Sequence, residues 1–269
     1  ARMQGAKDVV DIAMVGKYVG LGDSYKSLNE ALLHGGFAHD AKVEIDFVDS
    51  ETLETMTDDE VVARLGKAQG ILVPGGFGAR GTEGKMRAIR YARENKVPYF
   101  GICLGMQLAA IEFARHVASL GGGAGSTEFT AEKGVPEHPI ICMMTEWHAG
   151  DQKRVGSATD LGGTMRLGAY PCTLAKGSLA AQAYGATQIA ERHRHRYEFN
   201  PHYRKVLEQA GLVFSGTSPS DTDLVEVVEL PAEVHPYFVA CQYHPEFKSQ
   251  PLMPHPLFAA FVGASLGKK

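Results

Sequence analysis

The sequence predicts an α/β protein: a mostly parallel central sheet flanked by helices, with added antiparallel strands, folded as one domain over residues 1–269. Three observations predict it. Short apolar β-prone runs alternate with longer amphipathic runs from residue 9 to residue 116, the pattern of βαβ units that places helices on both faces of a parallel sheet. Between residues 139 and 230 strand-like runs dominate, and closely spaced strands pair antiparallel. The 269 residues, 44% of them hydrophobic, can bury a large core, and no internal repeat or long linker divides the chain.

The elements follow in order. VVDIAMVGKY (9–18) reads as a strand. SYKSLNEALLHGG (24–36) reads as a helix stopped by Gly35 and Gly36. KVEIDFV (42–48) is a strand of alternating polarity, and Thr57 with Glu60 forms a capping-box signature that opens the next helix. GILVPGG (70–76) is a buried-type strand ending in a turn, and EGKMRAIRYARENK (83–96) is helical. Val97 to Ile102 is a further strand, and Met106 to His116 has helical spacing. SLGGGAGSTEF (119–129) reads as a mobile glycine-rich loop. PIICMM, TMRLGAYPCTLA and LVEVVELP are strands, interrupted by helices at SLAAQAYG and NPHYRKVLEQAG. YFVACQYHPEF (237–247) is a strand running into a loop, and PLFAAFVGASLG (256–267) closes the chain as a helix.

Composition excludes several classes of function. The net charge of −4 provides no field for nucleic acid or anionic lipid. No apolar stretch approaches the about 18 residues of a membrane span, and the first residues lack the apolar segment of a signal peptide. Cys103, Cys142, Cys172 and Cys241 are scattered, with no CxxC pair, so neither a zinc site nor a disulfide framework is expected. The expectation is a reduced, cytoplasmic protein.

Chemistry concentrates in three stretches. GICLG (101–105) places Cys103 between glycines where a strand turns into a helix, the spacing of a G-x-S-x-G nucleophile elbow with sulfur for the hydroxyl. The turn is sharp and needs small flanking residues, and the helix N-terminus favours the thiolate. Cys103 could equally be a small core residue on the pattern alone. QYHPEF (242–247) provides a base in His244, with Glu246 two residues on to hold its far nitrogen; the alternative is a surface turn after a strand. ILVPGGFG (71–78) puts glycines at the C-terminal end of a buried strand, where the N–H of Gly76, with that of Leu104, could bind an oxyanion; the alternative is an ordinary turn. Together the three are far more specific than any one.

GICLGMQ, the PGGFG loop and the late HPE resemble the class I (triad) glutamine amidotransferases. AMVGKYVGLGDSYKSLNEALLHGG, GSTEF, LGGTMRLGA, ERHRHRYEFN and ACQYHPEF are similar to the C-terminal glutaminase domains of the CTP synthases, and the resemblance covers nearly the whole chain. It implies a flavodoxin-like core and hydrolysis of L-glutamine to glutamate and ammonia through a cysteine thioester. It further implies that the ammonia passes to an N-terminal synthase domain of the same polypeptide, absent from this chain, which aminates UTP and forms homo-oligomers. ATP and Mg²⁺ are expected only in that domain, in keeping with the lack of a G-x-x-x-x-G-K-[ST] loop here. No cofactor or metal is expected in this domain. GTP is the family's allosteric activator.

Carried over by motif, Cys103 is the nucleophile, His244 the proton shuttle and Glu246 its orienting group, with Gly76 and Leu104 as oxyanion donors. Gly75, Phe77, Gln107, Glu128 and Arg196 are the implied substrate contacts. An acidic Glu128 suits the α-ammonium of glutamine, and an Arg196 fork suits its α-carboxylate. Arg166 and Arg194 are the residues linked to GTP. The basic run ERHRHRYEFNPHYRK reads otherwise as an edge strand of alternating Arg and His, and nucleic-acid binding is disfavoured by the net charge. Two rival functions remain: another cysteine γ-glutamyl hydrolase on the same elbow, and a non-catalytic GTP-responsive regulatory module.

Overall fold

The computed structural model describes residues 8–17, 25–143, 146–149, 152–155, 165–221 and 224–267. The first half alternates as its hydrophobic pattern requires. Strand β1 (Asp8–Gly16) leads to helix α1 (Lys26–Ala38) and strand β2 (Ala41–Asp49). Helices α2 (Ser50–Thr55) and α3 (Asp58–Leu65) precede β3 (Gly70–Val73). Helix α4 (Thr82–Glu94), strand β4 (Tyr99–Ile102) and helix α5 (Leu104–His116) complete this half. The second half is richer in strands. It contains β5 (Ala124–Ser126), α6 (Thr130–Lys133), β6 (His138–Met143), β7 (Glu146–Ala149), β8 (Gln152–Val155) and β9 (Arg166–Leu174). Then follow α7 (Leu179–Tyr184), β10 (Gln188–His195), β11 (Tyr197–Phe199), α8 (Arg204–Gln209), β12 (Val213–Thr217), β13 (Val225–Glu229), β14 (Phe238–Cys241) and α9 (Pro256–Ser265).

Among the described residues nine strands form one sheet in the order β10-β9-β12-β13-β14-β4-β3-β1-β2. The five strands from β14 to β2 run parallel, and β13, β12, β9 and β10 extend the sheet antiparallel. A small sheet, β11-β6-β5, packs against α5, and β7 pairs with β8 as a two-stranded hairpin. Successive side chains of β1 point to opposite faces: Ala13 and Val15 enter the core beneath α4 and α5, while Ile12 and Met14 enter the core beneath α1 and α9. The sheet is thus covered on both sides, which is why β3 and β4 are apolar at every position. The C-terminal ends of β3, β4 and β14 lie side by side, and the three stretches singled out by their chemistry leave from these ends.

The capping box forms as expected: Thr57 Oγ1 accepts from the Glu60 N–H, and Glu60 reaches back to the Thr57 N–H. Other expectations need correction. Gly35 and Gly36 do not stop α1, which continues to Ala38. They are small because a Cβ on Gly35 would lie 2.8 Å from the Phe258 carbonyl of α9, and one on Gly36 2.7 Å from that of Ala41. The glycine-rich stretch after α5 is not a plain loop. It forms a 3₁₀ turn (Gly121–Gly123) and then β5, which pairs parallel with β6. Helix α5 begins two residues earlier than its periodicity suggests, directly after Cys103.

Candidate active site

Cys103 caps α5 with φ 53° and ψ −105°, a left-handed backbone for a residue that has a Cβ. Such a conformation costs about 1–3 kcal/mol and persists only where its surroundings impose it. Here they do. The Cys103 N–H donates to the Cys241 carbonyl at 2.7 Å, and its own carbonyl accepts from the Met106 and Gln107 N–H groups. The Tyr99 hydroxyl donates to the Gly105 carbonyl at 2.9 Å, pinning the first turn of α5 from beneath. The flanking glycines are required by close approach: a Cβ on Gly105 would lie 2.2 Å from the Val73 carbonyl, and one on Gly101 2.9 Å from the Ala240 Cβ. The N–H groups of Leu104 and Gly105, at the start of the helix, have no intrahelical acceptor and point toward its N-terminal end, where the sulfur sits.

His244 follows β14. Its N–H donates to the Arg192 carbonyl at 2.7 Å, tying this segment to β10. Its Nδ1 hydrogen-bonds Glu246 Oε1 at 2.8 Å, leaving Nε2 for the hydrogen bond with Cys103. The sequence suggests an extended H-P-E; the structure instead has a 3₁₀ turn over Pro245–Phe247 that swings Glu246 back to the ring. Burial disfavours charge on His244. The hydrogen bonds to Cys103 and Glu246 and their negative charges outweigh it and push the imidazole up to about 10. The imidazole therefore stays protonated through the neutral range, facing the Cys103 sulfur. Phe247 stacks on the His244 ring, 5.4 Å between centroids, and limits its rotation.

The Gly75–Gly78 turn closes the third side. A Cβ on Gly75 would lie 2.9 Å from His244 Cε1 and 3.4 Å from Cys103 Cβ, so only glycine lets the turn lie flush against the pair. Gly76 faces Leu104 Cδ2 and the Lys85 ammonium. Phe77 is exposed, and its carbonyl accepts from Lys17 Nζ at 2.7 Å. Glu128 approaches from the short turn after β5 and accepts from the Gly78 N–H at 2.8 Å. Burial raises its carboxyl above the usual range, against the pull of that hydrogen bond and of Lys17 and Lys85.

Two predicted residues are placed differently from the simplest expectation. Gln107 is buried, and its amide N–H₂ donates to the Tyr197 carbonyl (2.9 Å) and to Gln242 Oε1 (3.1 Å), so it reaches the site through Gln242. Arg166 is not available to a nucleotide. It is 1% exposed, and its guanidinium is used by Glu198 Oε1 (2.9 Å) and Glu226 Oε1 (2.7 Å). Arg194 is exposed on edge strand β10, whose alternation turns His193 and His195 inward. Arg196 is half-buried just beyond it and has no hydrogen bond or ion pair among the described residues.

Gln242 and Lys85 are missed by sequence reasoning. Gln242 is a polar residue embedded in the apolar run FVACQY, the one local sign of its place. Lys85 lies in a basic helix where nothing distinguishes it, yet it is 1% exposed and held down to about 7 by burial and by the Lys17 charge, against Cys103 and Glu128. Among the described residues no group of three or more His, Cys, Asp or Glu is arranged to hold a metal, and no helix is long and apolar enough to cross a membrane.

A model of the class-I glutamine amidotransferase family matches residues 21–264. The chain is 56% identical over 267 residues to a CTP synthase of Rhizorhabdus wittichii, and 54% identical over 267 residues to that of Azospirillum brasilense. Each match covers 98% of this chain and 47% of the relative, so the chain spans about half the length of the curated relatives it matches. The solved glutaminase domain of Trypanosoma brucei CTPS with bound acivicin superposes with a TM-score of 0.83 at 39% identity, covering 97% of this chain and 95% of that one. The chain therefore belongs to the class-I glutamine amidotransferase family, among the glutaminase domains of the CTP synthases.

Proposed function

We propose that this chain hydrolyses L-glutamine to glutamate and ammonia and that it is the glutaminase part of a longer CTP synthase polypeptide, to whose synthase domain the ammonia passes. The observation that carries the reading is the strained Cys103 at a helix N-terminus, hydrogen-bonded to a His244 that Glu246 holds. The thiolate attacks the side-chain amide carbon, forming a C–S bond. The resulting oxyanion is met by the N–H groups of Leu104 and Gly76. Imidazolium His244 gives its proton to the departing nitrogen, the C–N bond breaks, and ammonia leaves a γ-glutamyl thioester. Neutral His244 then takes a proton from water, hydroxide adds to the thioester, and the thiolate is expelled with glutamate.

Glu128 and Arg196 suit the α-ammonium and α-carboxylate of the substrate, and Phe77 covers the entrance. Of the two arginines linked to GTP by resemblance, Arg194 alone is exposed, so a nucleotide contact is read there. A complete triad in hydrogen-bond contact favours hydrolysis over a purely regulatory module.

Intact-mass analysis and peptide mapping after exposure to an electrophilic glutamine analogue such as acivicin test the reading. A single adduct on Cys103, suppressed by glutamine, is expected, and Cys103→Ala is expected to lower ammonia release by roughly 10⁴-fold or more in a folded protein. Equal labelling of Cys142, Cys172 and Cys241, or turnover near the parent rate without Cys103, would overturn it.

A further inference from the structure

We propose that Gln242 is a further catalytic residue: its side-chain amide donates a hydrogen bond to the Cys103 sulfur, and Gln107 is the positioning residue that holds the amide in the donating orientation. The proposal rests on the glutaminase reading for its meaning, but its geometry stands alone. Gln242 Nε2 lies 3.7 Å from Cys103 Sγ, and the side chain is fully buried.

Which end of a glutamine amide faces a neighbour is settled by its partners. The Tyr197 carbonyl can only accept, so the Gln107 group at 2.9 Å must be its N–H₂. The second N–H of that same group points at Gln242, 3.1 Å away, which must therefore present its oxygen. The oxygen of Gln242 is thereby committed to Gln107, and its N–H₂ is left facing the sulfur. One backbone carbonyl on β11 thus fixes, through two amides, a donor aimed at the nucleophile. The main chain holds the same residue from the other side, since the Gln242 N–H donates to the Glu226 carbonyl at 2.8 Å.

A neutral donor has a distinct use beside His244. The imidazolium stabilises the thiolate only until it gives up its proton to the leaving nitrogen. During hydrolysis of the thioester the imidazole is first neutral and then protonated, and the sulfur must regain negative charge as it is expelled. Gln242 cannot lose its proton, so its N–H stabilises the sulfur's charge at both ends of the cycle. A buried amide also leaves the sulfur with fewer orientations, so that its attack direction is set before substrate arrives.

The test measures the pH dependence of Cys103 alkylation by iodoacetamide, read by peptide mass, which needs no glutamine turnover. Gln242→Met keeps the side chain's length and removes the donor. Its alkylation midpoint is expected to move up by about one pH unit, a roughly tenfold loss of thiolate below the midpoint, with kcat for glutamine falling more than KM rises. Gln107→Met leaves Gln242 in place but frees its amide, and a smaller shift in the same direction is expected. If Gln242→Met fails to fold, the Gln107→Met midpoint decides. An unshifted midpoint in a folded variant overturns the proposal even if activity falls. Should the wild-type chain hydrolyse no glutamine, the midpoint comparison still decides whether Gln242 acts on the sulfur.

Discussion

At the scale of single residues the site is a set of charges placed where burial should forbid them. His244 is raised to about 10 because it hydrogen-bonds Cys103 and Glu246, and it stays protonated across the neutral range. Lys85 is the opposite case. Its ammonium sits within the α4 face of the core, near Gly76, and has no hydrogen bond among the described residues. Burial holds it near 7, against an ordinary value of 10.5. Between those values the unfolded chain binds a proton that the folded chain does not, so this residue makes stability rise with pH through that window; below about 7 its full cost is in force. Lys85→Met, which fills the same space without the charge, is therefore expected to raise stability at pH 6.5 by an amount on the order of a few kcal/mol, seen as a higher thermal midpoint, the gain shrinking toward pH 10. Thermal unfolding of both proteins at the two pH values checks it, and an equal or lower midpoint at pH 6.5 would show that the ammonium is stabilised in place.

At the scale of elements, glycine decides where strands and helices may touch. Gly105 lets the first turn of α5 lie on the end of β3, where a Cβ would meet the Val73 carbonyl at 2.2 Å. Backbone cannot move aside as a side chain can, so Gly105→Ala is expected to cost about 3 kcal/mol in urea unfolding and to slow Cys103 labelling. A Cβ on Gly122, with no heavy atom within 4 Å, meets nothing, and Gly122→Ala is expected to be neutral or slightly stabilising. This difference marks the limit of sequence reading. The strands, the capping box and the elbow are legible because each has a periodic or short-range signature. Gly35 and Gly36 mislead, because a glycine that ends a helix and one that permits close packing are the same letter. Helix α2 is missed because its cap, Asp49, is also the last residue of a strand. Cys103, His244 and Glu246 lie in recognisable motifs, whereas Gln242 acquires its role only from Cys103 and Gln107, 139 and 135 positions away.

At the scale of the whole molecule, Arg166 joins parts that the chain order leaves apart. It leaves β9, and its two nitrogens reach Glu226 on β13 and Glu198 on β11, so one guanidinium ties the antiparallel half of the main sheet to the small sheet beneath the site. Tyr170 covers its face, with the guanidinium carbon 4.5 Å from the ring centre. Arg166 is linked to a nucleotide by resemblance alone, and the motif cannot tell an inward arginine from an outward one. One cation cannot balance two buried carboxylates. Burial and the neighbouring charge of Glu226 raise Glu198 well above the usual carboxylate range even against Arg166. Replacing Arg166 with Met leaves both carboxyls buried without their cation, and a loss of about 3–5 kcal/mol is expected at pH 8. Both carboxyls then have folded values above the ordinary 4.5, so the folded variant binds more protons than the unfolded chain and its stability falls as pH rises. The deficit relative to the parent should accordingly shrink from pH 8 to pH 5. A deficit of the same size at both values, or none, would mean that the cluster does not carry the join, and that the guanidinium is free to serve a ligand instead.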